Sequence, residues 1–115
     1  MSKYMQLKVS INPYYQKGFA RAYPGISRRF SYLDEAWVEG NPSLFEIIGR
    51  LDKLLYKLEG DPPFRELLLK YRSALHKLYE DTEKEIGDWR LANADKLLYK
   101  MEDIFDEIED ELGKI

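Results

Sequence analysis

TEKEIGDWRLANA, residues 82–94, decides the fold of this 115-residue chain. Apolar side chains recur at three- and four-residue steps on both sides of it, which predicts an amphipathic helix before and after Gly87. If the chain breaks at Gly87-Asp88, with Asp88 capping the second helix, the two helices fold back into an antiparallel hairpin. If one helix continues through Gly87, at a cost of about 1 kcal/mol, another subunit must bury its apolar stripe. We favour the hairpin.

Apolar periodicity and helix-terminal residues predict a three-helix bundle in residues 41–115, with helices at about 43–59, 62–86 and 89–112. Ser43 and Glu46 form a capping box at the start of the first helix. Gly60 suits its end, and Asp61-Pro62 suits the start of the next helix. The sequence therefore predicts an all-α protein, a small helical bundle built on a long antiparallel hairpin plus a shorter helix.

The first forty residues differ from the rest in charge and in pattern. Residues 1–33 carry a charge of +6 and no acidic side chain, whereas residues 34–115 carry −9. The stretch YYQKGFARAYPGISRRFSYL, residues 14–33, places six aromatic rings among four basic residues. Such charge asymmetry is informative about partners rather than about the fold.

The local structure of this basic, aromatic-rich N-terminal segment, residues 1–40, is less regular. Met5–Ile11 alternates weakly and predicts a short strand or an extended arm. Residues 12–23 and 27–38 predict two short helices on either side of a Pro24-Gly25 turn. Helices this short are marginal in water, so they must dock on something.

Three interpretations of the segment stay open. As a nucleic-acid surface, it would neutralise phosphates with cations and stack rings on bases. The residues for this are Lys17, Arg21, Arg28 and Arg29, with Tyr14, Tyr15 or Phe30 stacking. As a protein-docking arm, it would use Phe19, Tyr23, Phe30 and Trp37 as anchors. In the third interpretation these rings cover the protein's own bundle, as an apolar stripe usually does.

The C-terminal helix is unusually acidic at its end. From Met101 onward the chain has seven acidic residues against Lys114 alone. Negative charge at a helix C-terminus opposes the macrodipole, and like charges four residues apart repel. A basic surface is therefore expected to face this helix. The simplest candidate is the N-terminal segment, from the same chain or a neighbour's.

Two pairs of acidic residues resemble a known enzyme pattern. Glu80-x-x-Glu83 and Glu107-x-x-Asp110 are similar to the ExxE…ExxD motif of all-α nucleoside triphosphate pyrophosphatases of the MazG type, in which carboxylates hold magnesium between helices. In a hairpin turning at Gly87, however, Glu107 would lie beside Leu67, about sixteen residues or ~24 Å from Glu83. Only a dimer could then assemble the site. We read these carboxylates as a solvated helix face.

Other candidate motifs predict no chemistry. His76 is the only histidine and the chain has no cysteine, so a catalytic triad or a thiolate site has no partners. DKLLYKLE (52–59) recurs as DKLLYKME (95–102), which we interpret as a chance match between two amphipathic helices. We expect no cofactor and no metal.

The expected function is that of a non-enzymatic accessory or assembly subunit, acting through protein–protein contacts within a nucleic-acid-handling complex. Direct nucleic-acid binding by the N-terminal segment is the alternative, and a magnesium-dependent pyrophosphatase assembled in a dimer is the remote one. A protein partner or self-association is expected, nucleic acid is possible, and a membrane is not expected because no apolar run is long enough to span one. The start of the sequence lacks a signal-peptide core, which predicts a cytoplasmic location. Few Gln and Asn beside many charged residues would suit a thermophile.

Overall fold

The computed structural model describes residues 3–5 and 7–115, which form seven α-helices and no strand. In chain order the helices are α1 (Phe19–Ala22), α2 (Pro24–Ser31), α3 (Glu35–Glu39), α4 (Leu44–Gly49), α5 (Leu51–Lys57), α6 (Pro62–Gly87) and α7 (Leu91–Leu112), with a short 3-10 helix, Leu58–Gly60, before α6. The predicted all-α class is confirmed. Among these described residues, no helix is long and apolar enough to cross a membrane.

The two long helices, α6 and α7, form the predicted antiparallel hairpin. Asn93 lies near Glu85 at one end, and Lys70 Nζ reaches Glu111 Oε1 at 2.9 Å at the other. Trp89, not Gly87, takes the left-handed backbone conformation at the turn, with a φ of 58°. The amides of Trp89 and Arg90 donate to the carbonyls of Ile86 and Glu85 at 3.0 and 2.8 Å, which closes the end of α6.

Residue 88 does not have its predicted role as a helix cap. The helix α7 begins three residues later, after Arg90, and makes no side-chain cap hydrogen bond. The carboxylate of Asp88 instead accepts a hydrogen bond from Arg90 at 2.9 Å. The turn therefore uses residues 88–90, which is longer than a break at Gly87 alone.

The predicted helix at 43–59 is wrong as a single element, because the structure divides it at Arg50 into α4 and α5. A Cβ on Gly49 would lie 3.2 Å from the hydroxyl oxygen of Tyr79, so the glycine leaves room for that ring. The Tyr79 ring stacks on Phe45 at a centroid distance of 4.2 Å. The break lets both short helices bury their apolar residues against α6.

From Tyr15 onward, the N-terminal segment packs on its own bundle, as in the third interpretation of its rings. Residues 7–15 form neither helix nor strand, and Gln6, within the predicted strand, lies outside the described residues. The two predicted short helices are replaced by α1, α2 and α3, which are shorter still. Five side chains of this segment belong to the main core, namely Phe19, Tyr23, Ile26, Phe30 and Val38. Its ring contacts cross to the bundle, with Phe30 at 5.4 Å from Phe64 and Tyr23 at 6.1 Å from Phe105.

The first two helices have no side-chain cap from their own neighbouring residues. Asn41, distant in sequence, supplies one for α1, because its Oδ1 accepts from the Phe19 amide at 2.9 Å. For α2 the cap comes from α7, where the Glu109 carboxylate accepts from the amides of Gly25 and Ile26 at 2.8 and 3.0 Å. Charge-assisted bonds at a helix N-terminus are among the stronger hydrogen bonds, so tertiary contacts hold these helices in place.

The acidic end of α7 does face the N-terminal segment, but not through the expected basic side chains. Glu109 binds backbone amides of α2, and Asp106 accepts a hydrogen bond from the Tyr23 hydroxyl at 3.0 Å. Burial, and next the bond to Asp106, raise the pKa of Tyr23 well above its ordinary value, so the hydroxyl remains a donor. The C-terminal end of the α7 dipole disfavours the negative charge of Glu109, and the N-terminal end of the α2 dipole offsets this by favouring it.

Replacing Gly25 by alanine tests the cap that Glu109 provides for α2, because we expect the change to destabilise the protein, whereas replacing a helical glycine by alanine usually stabilises it. Alanine normally stabilises a helix by up to about 1 kcal/mol relative to glycine. Here a Cβ would lie 2.5 Å from Oε2 of Glu109 and would displace the carboxylate. We expect Gly25→Ala to lower the free energy of unfolding by about 1–3 kcal/mol in urea titrations, since charge-assisted bonds are lost.

The matched control is Gly87→Ala in the last turn of α6, where a Cβ meets no atom within 4 Å. That change should leave stability unchanged or raise it slightly. In a Glu109→Ala background, Gly25→Ala should lose most of its cost. A Gly25→Ala protein as stable as the original would show that Glu109 does not cap α2.

Candidate functional site

A cleft of about 350 Å³ lies where the N-terminal segment meets α4 and α7. We call it the Tyr14–Tyr99 groove. Its walls combine aromatic rings and carboxylates, namely Tyr14, Tyr15, Phe45, Tyr99, Asp95 and Glu102. The volume is at the lower end of the range for small-molecule pockets, so the groove suits one or two side chains or a short segment of chain.

The near wall of the groove is held by Tyr15. Its hydroxyl donates to the carbonyl of Pro42 at 2.7 Å, and its ring lies 5.6 Å from the buried ring of Phe19. Burial, followed by the nearby carboxylates of Glu102 and Glu46, raises the pKa of Tyr15 well above its ordinary value. The hydroxyl therefore stays protonated, and the loop that carries Tyr14 is anchored through it.

The far wall is one face of α7. Asp95, Tyr99 and Glu102 follow one another at four- and three-residue steps, which places them on the same side of a helix. Partial desolvation raises the pKa of Glu102, although its side chain is exposed, and the carboxylates of Asp106, Asp103 and Asp95 raise it further. The side chains of Asp95 and Glu102 make no hydrogen bond or ion pair with another described residue. This wall is negatively charged and lacks a counter-charge within the described chain.

Three of the predicted rings, those of Tyr14, Tyr15 and Tyr23, line the groove, and the first two remain accessible to a partner. Tyr14 is 90% exposed and Tyr15 is partly buried behind it. Tyr99, on the opposite wall, is 62% exposed.

Three of the predicted contact residues are instead core residues. Phe19 and Phe30 have no exposed surface and Tyr23 is 7% exposed, so their rings cannot anchor a partner. The half-buried Trp37 packs on Phe30 and donates its indole N–H to Glu46, with the Arg50 guanidinium 5.1 Å from its ring. The apolar stripe of the segment was thus a signal of burial, which takes Phe19, Tyr23 and Phe30 off the partner-facing surface.

The four predicted cations have different environments. Arg29 makes an ion pair with Asp61, its Nη1 lying 2.6 Å from Oδ2. Lys17, Arg21 and Arg28 are exposed and form no ion pair within the described part of the chain. A second, larger cleft of about 470 Å³ lies beside Arg29, but that cation is already neutralised by Asp61.

The register of the hairpin differs from the one expected for the pyrophosphatase pattern. Glu111 lies against Lys70 and Tyr71, so Glu107 is displaced by about two helical turns from the expected place beside Leu67. The longer turn at residues 88–90 moves the centre of the hairpin from residue 87 to residue 89, which accounts for about one of these turns. Within the described residues, no three His, Asp or Glu side chains lie close enough together to hold a metal ion. His76 lies 3.5 Å from Asp52, which also binds Arg72.

The residues of the far wall were missed by sequence reasoning, although a signal was present. Asp95, Tyr99 and Glu102 all belong to the repeated octapeptide, at residues 95–102. The equivalent residues of its other copy, Asp52, Tyr56 and Glu59, lie on α5 and the following 3-10 helix and line no part of the groove. The octapeptide alone therefore does not make a site. The rings of the N-terminal segment must lie opposite it.

Two substitutions of aromatic residues distinguish a ring in the core from a ring on the surface. Phe30→Ala should cost about 3–5 kcal/mol in urea unfolding followed by circular dichroism, because it leaves a cavity in the core. Tyr14→Ala should change stability by less than about 0.5 kcal/mol, since its ring is solvated. A loss below about 1 kcal/mol for Phe30→Ala would contradict the packing described above.

Comparison with known proteins adds no relative. No protein family, no curated protein and no solved structure matches this chain. The function of the chain has to be inferred from the Tyr14–Tyr99 groove and from the exposed cations and rings around it.

Proposed function

We propose that this protein is a non-enzymatic accessory or assembly subunit that acts through protein–protein contacts, and that the Tyr14–Tyr99 groove receives a segment of its partner. The observation that carries the proposal is the pair of solvent-exposed tyrosines on opposite walls of a concave site. The walls of the site belong to the packed part of the fold, since Tyr15 is tied to Pro42 and α7 to the hairpin.

The residues of the groove are suited to binding a polypeptide. Tyrosine is enriched at interface hot spots, because its large ring is rigid and its hydroxyl can bond to a partner's backbone. A groove whose walls are already in place costs little ordering entropy on binding. The partly buried Phe45 adds an apolar floor. These features favour a peptide-like segment over a flat protein face.

The exposed cations favour a second candidate function, in which the protein contacts nucleic acid. Lys17, Arg21 and Arg28 have no ion-pair partner among the described residues, and such cations neutralise phosphates readily. Direct nucleic-acid binding by the N-terminal segment is less well supported. Three of its rings are buried, and Tyr14 stands beside carboxylates that repel phosphate. A subunit of a nucleic-acid-handling complex is consistent with both sets of residues.

The test is site-specific photo-crosslinking in cells that express the protein. Tyr99 is replaced by a photoreactive benzoylphenylalanine, and Tyr56 is replaced in the same way as the control. Tyr56 occupies the same position in the repeated octapeptide and is 77% exposed, but it lies outside the groove. We expect a discrete protein adduct from position 99 and none from position 56.

The adduct should also disappear when Tyr14→Ala is added, since that change removes one wall of the groove without affecting the core. Equal adducts from both positions, or none from either, would reject the groove as a protein-binding site. An adduct with nucleic acid instead of protein would establish the second candidate function.

A further inference from the structure

The groove has negative charge but no cation. None of its described lining residues is Lys, Arg or His, although Asp95 and Glu102 both face it. Asp103 and Asp106 lie close enough to oppose ionisation of Glu102. The chain has eighteen basic residues, and the ones it uses in ion pairs lie elsewhere. The groove therefore lacks a cation even though the chain has many basic residues that could have supplied one.

The rings change what this charge can attract. Tyr14, Tyr15 and Tyr99 line the same groove as the two carboxylates. An aromatic face attracts a cation within about 6 Å, and the attraction adds to that of a carboxylate. A hydrated metal ion would gain little from rings, whereas an organic cation would gain from both. The combination therefore selects for a cationic group on an organic side chain.

We propose that the groove binds an arginine side chain of the partner protein, with its guanidinium between the carboxylates of Asp95 and Glu102 and the tyrosine rings. This inference rests on the proposed function and names the chemistry of the partner. Arginine is favoured over lysine because its planar group bonds to carboxylate oxygens in pairs and stacks on rings, and because it is more weakly hydrated. Its aliphatic stem covers apolar surface such as the Phe45 ring.

Binding would also remove a cost that the protein carries alone. The raised pKa of Glu102 reflects partial desolvation and repulsion between carboxylates, both of which disfavour its charged form. A guanidinium beside it supplies the opposite charge and favours the ionised form. The site is therefore complementary to a cation in charge as well as in shape.

The experiment is a titration of the full-length, ¹⁵N-labelled protein with the peptide acetyl-Gly-Arg-Gly-amide, followed by NMR. The matched peptide carries citrulline, which has nearly the same shape but no charge. We expect amide shifts near residues 14, 99 and 102 with a Kd on the order of 1 mM for arginine, as suits a fragment of this size. The citrulline peptide should bind at least about tenfold more weakly, and added salt should weaken the binding of the arginine peptide.

The groove variant is Asp95→Asn with Glu102→Gln, and its control is Glu107→Gln with Asp110→Asn. Both remove two carboxylates from α7, but the control pair lies outside the groove. None of the four side chains makes a hydrogen bond or an ion pair with another described residue. The groove variant should weaken arginine binding at least about fivefold, and the control less than about twofold.

Equal binding of the two peptides, or no shifts near the groove up to about 10 mM, would overturn the arginine proposal. Crosslinking at position 99 would still succeed in that case if the groove binds a protein through other chemistry. If the crosslinking at position 99 fails but the arginine peptide still binds, the protein partner is rejected and only the cation-binding site remains. Slower tumbling of the protein alone as its concentration rises, with arginine peptide then competing, would mean that a second copy supplies the cation, and would overturn the proposal of a different partner protein.

Discussion

The rest of the structure depends on one interaction, the hydrogen bonding of the Glu109 carboxylate to the N-terminus of α2. Neither α1 nor α2 caps its own N-terminus, and both are too short to be stable alone. Glu109 bonds to two amides of α2 and thereby ties the N-terminal segment to the hairpin. Gly25 makes this approach possible, since a side chain there would meet the carboxylate. Once the segment is tied down, its rings complete the core and its loop forms a wall of the groove.

The acidic surface of α7 is used in three directions. Glu111 bonds to Lys70 and Tyr71 of α6, while Asp106 and Glu109 bond to the N-terminal segment. The side chains of Asp95 and Glu102, further from the C-terminus, face the groove and bond to no described residue. The first two groups explain why a helix accepts acids that oppose its own dipole. The third group supplies the negative charge to which we assign a function.

Much of the fold could be predicted from the sequence, because it depends on local patterns. Periodic apolar residues predicted the hairpin, and the Ser43 cap was found where it was expected. The break at Arg50 could not be predicted, because a lone Gly49 costs a helix little and its purpose is the close approach of Tyr79, which only packing reveals. The register of the hairpin was missed for a similar reason, since Trp89 adopts a conformation that glycine usually takes.

The candidate site was harder to predict than the fold. The stripe of Phe19, Tyr23 and Phe30 suggested both a core and an interface, and no local rule decides between them. Tyr14 and Tyr15 were recognised, but the opposite wall of Asp95, Tyr99 and Glu102 depended on which face of α7 meets the N-terminal segment. That choice is made by Glu109 and Asp106, through contacts more than eighty residues apart in the chain.

Native-state amide hydrogen exchange tests the central claim most directly, that the N-terminal segment is part of the cooperative core. The amides of Tyr23 and Ile26 bond to Phe19 and Glu109, and those of Leu75 and Phe105 lie in the hairpin. If the account is right, all four exchange only through global unfolding and report the same opening free energy. Rapid exchange at Tyr23 and Ile26, with Leu75 and Phe105 still protected, would contradict it. The segment would then be an independent arm, and the groove would have no fixed wall.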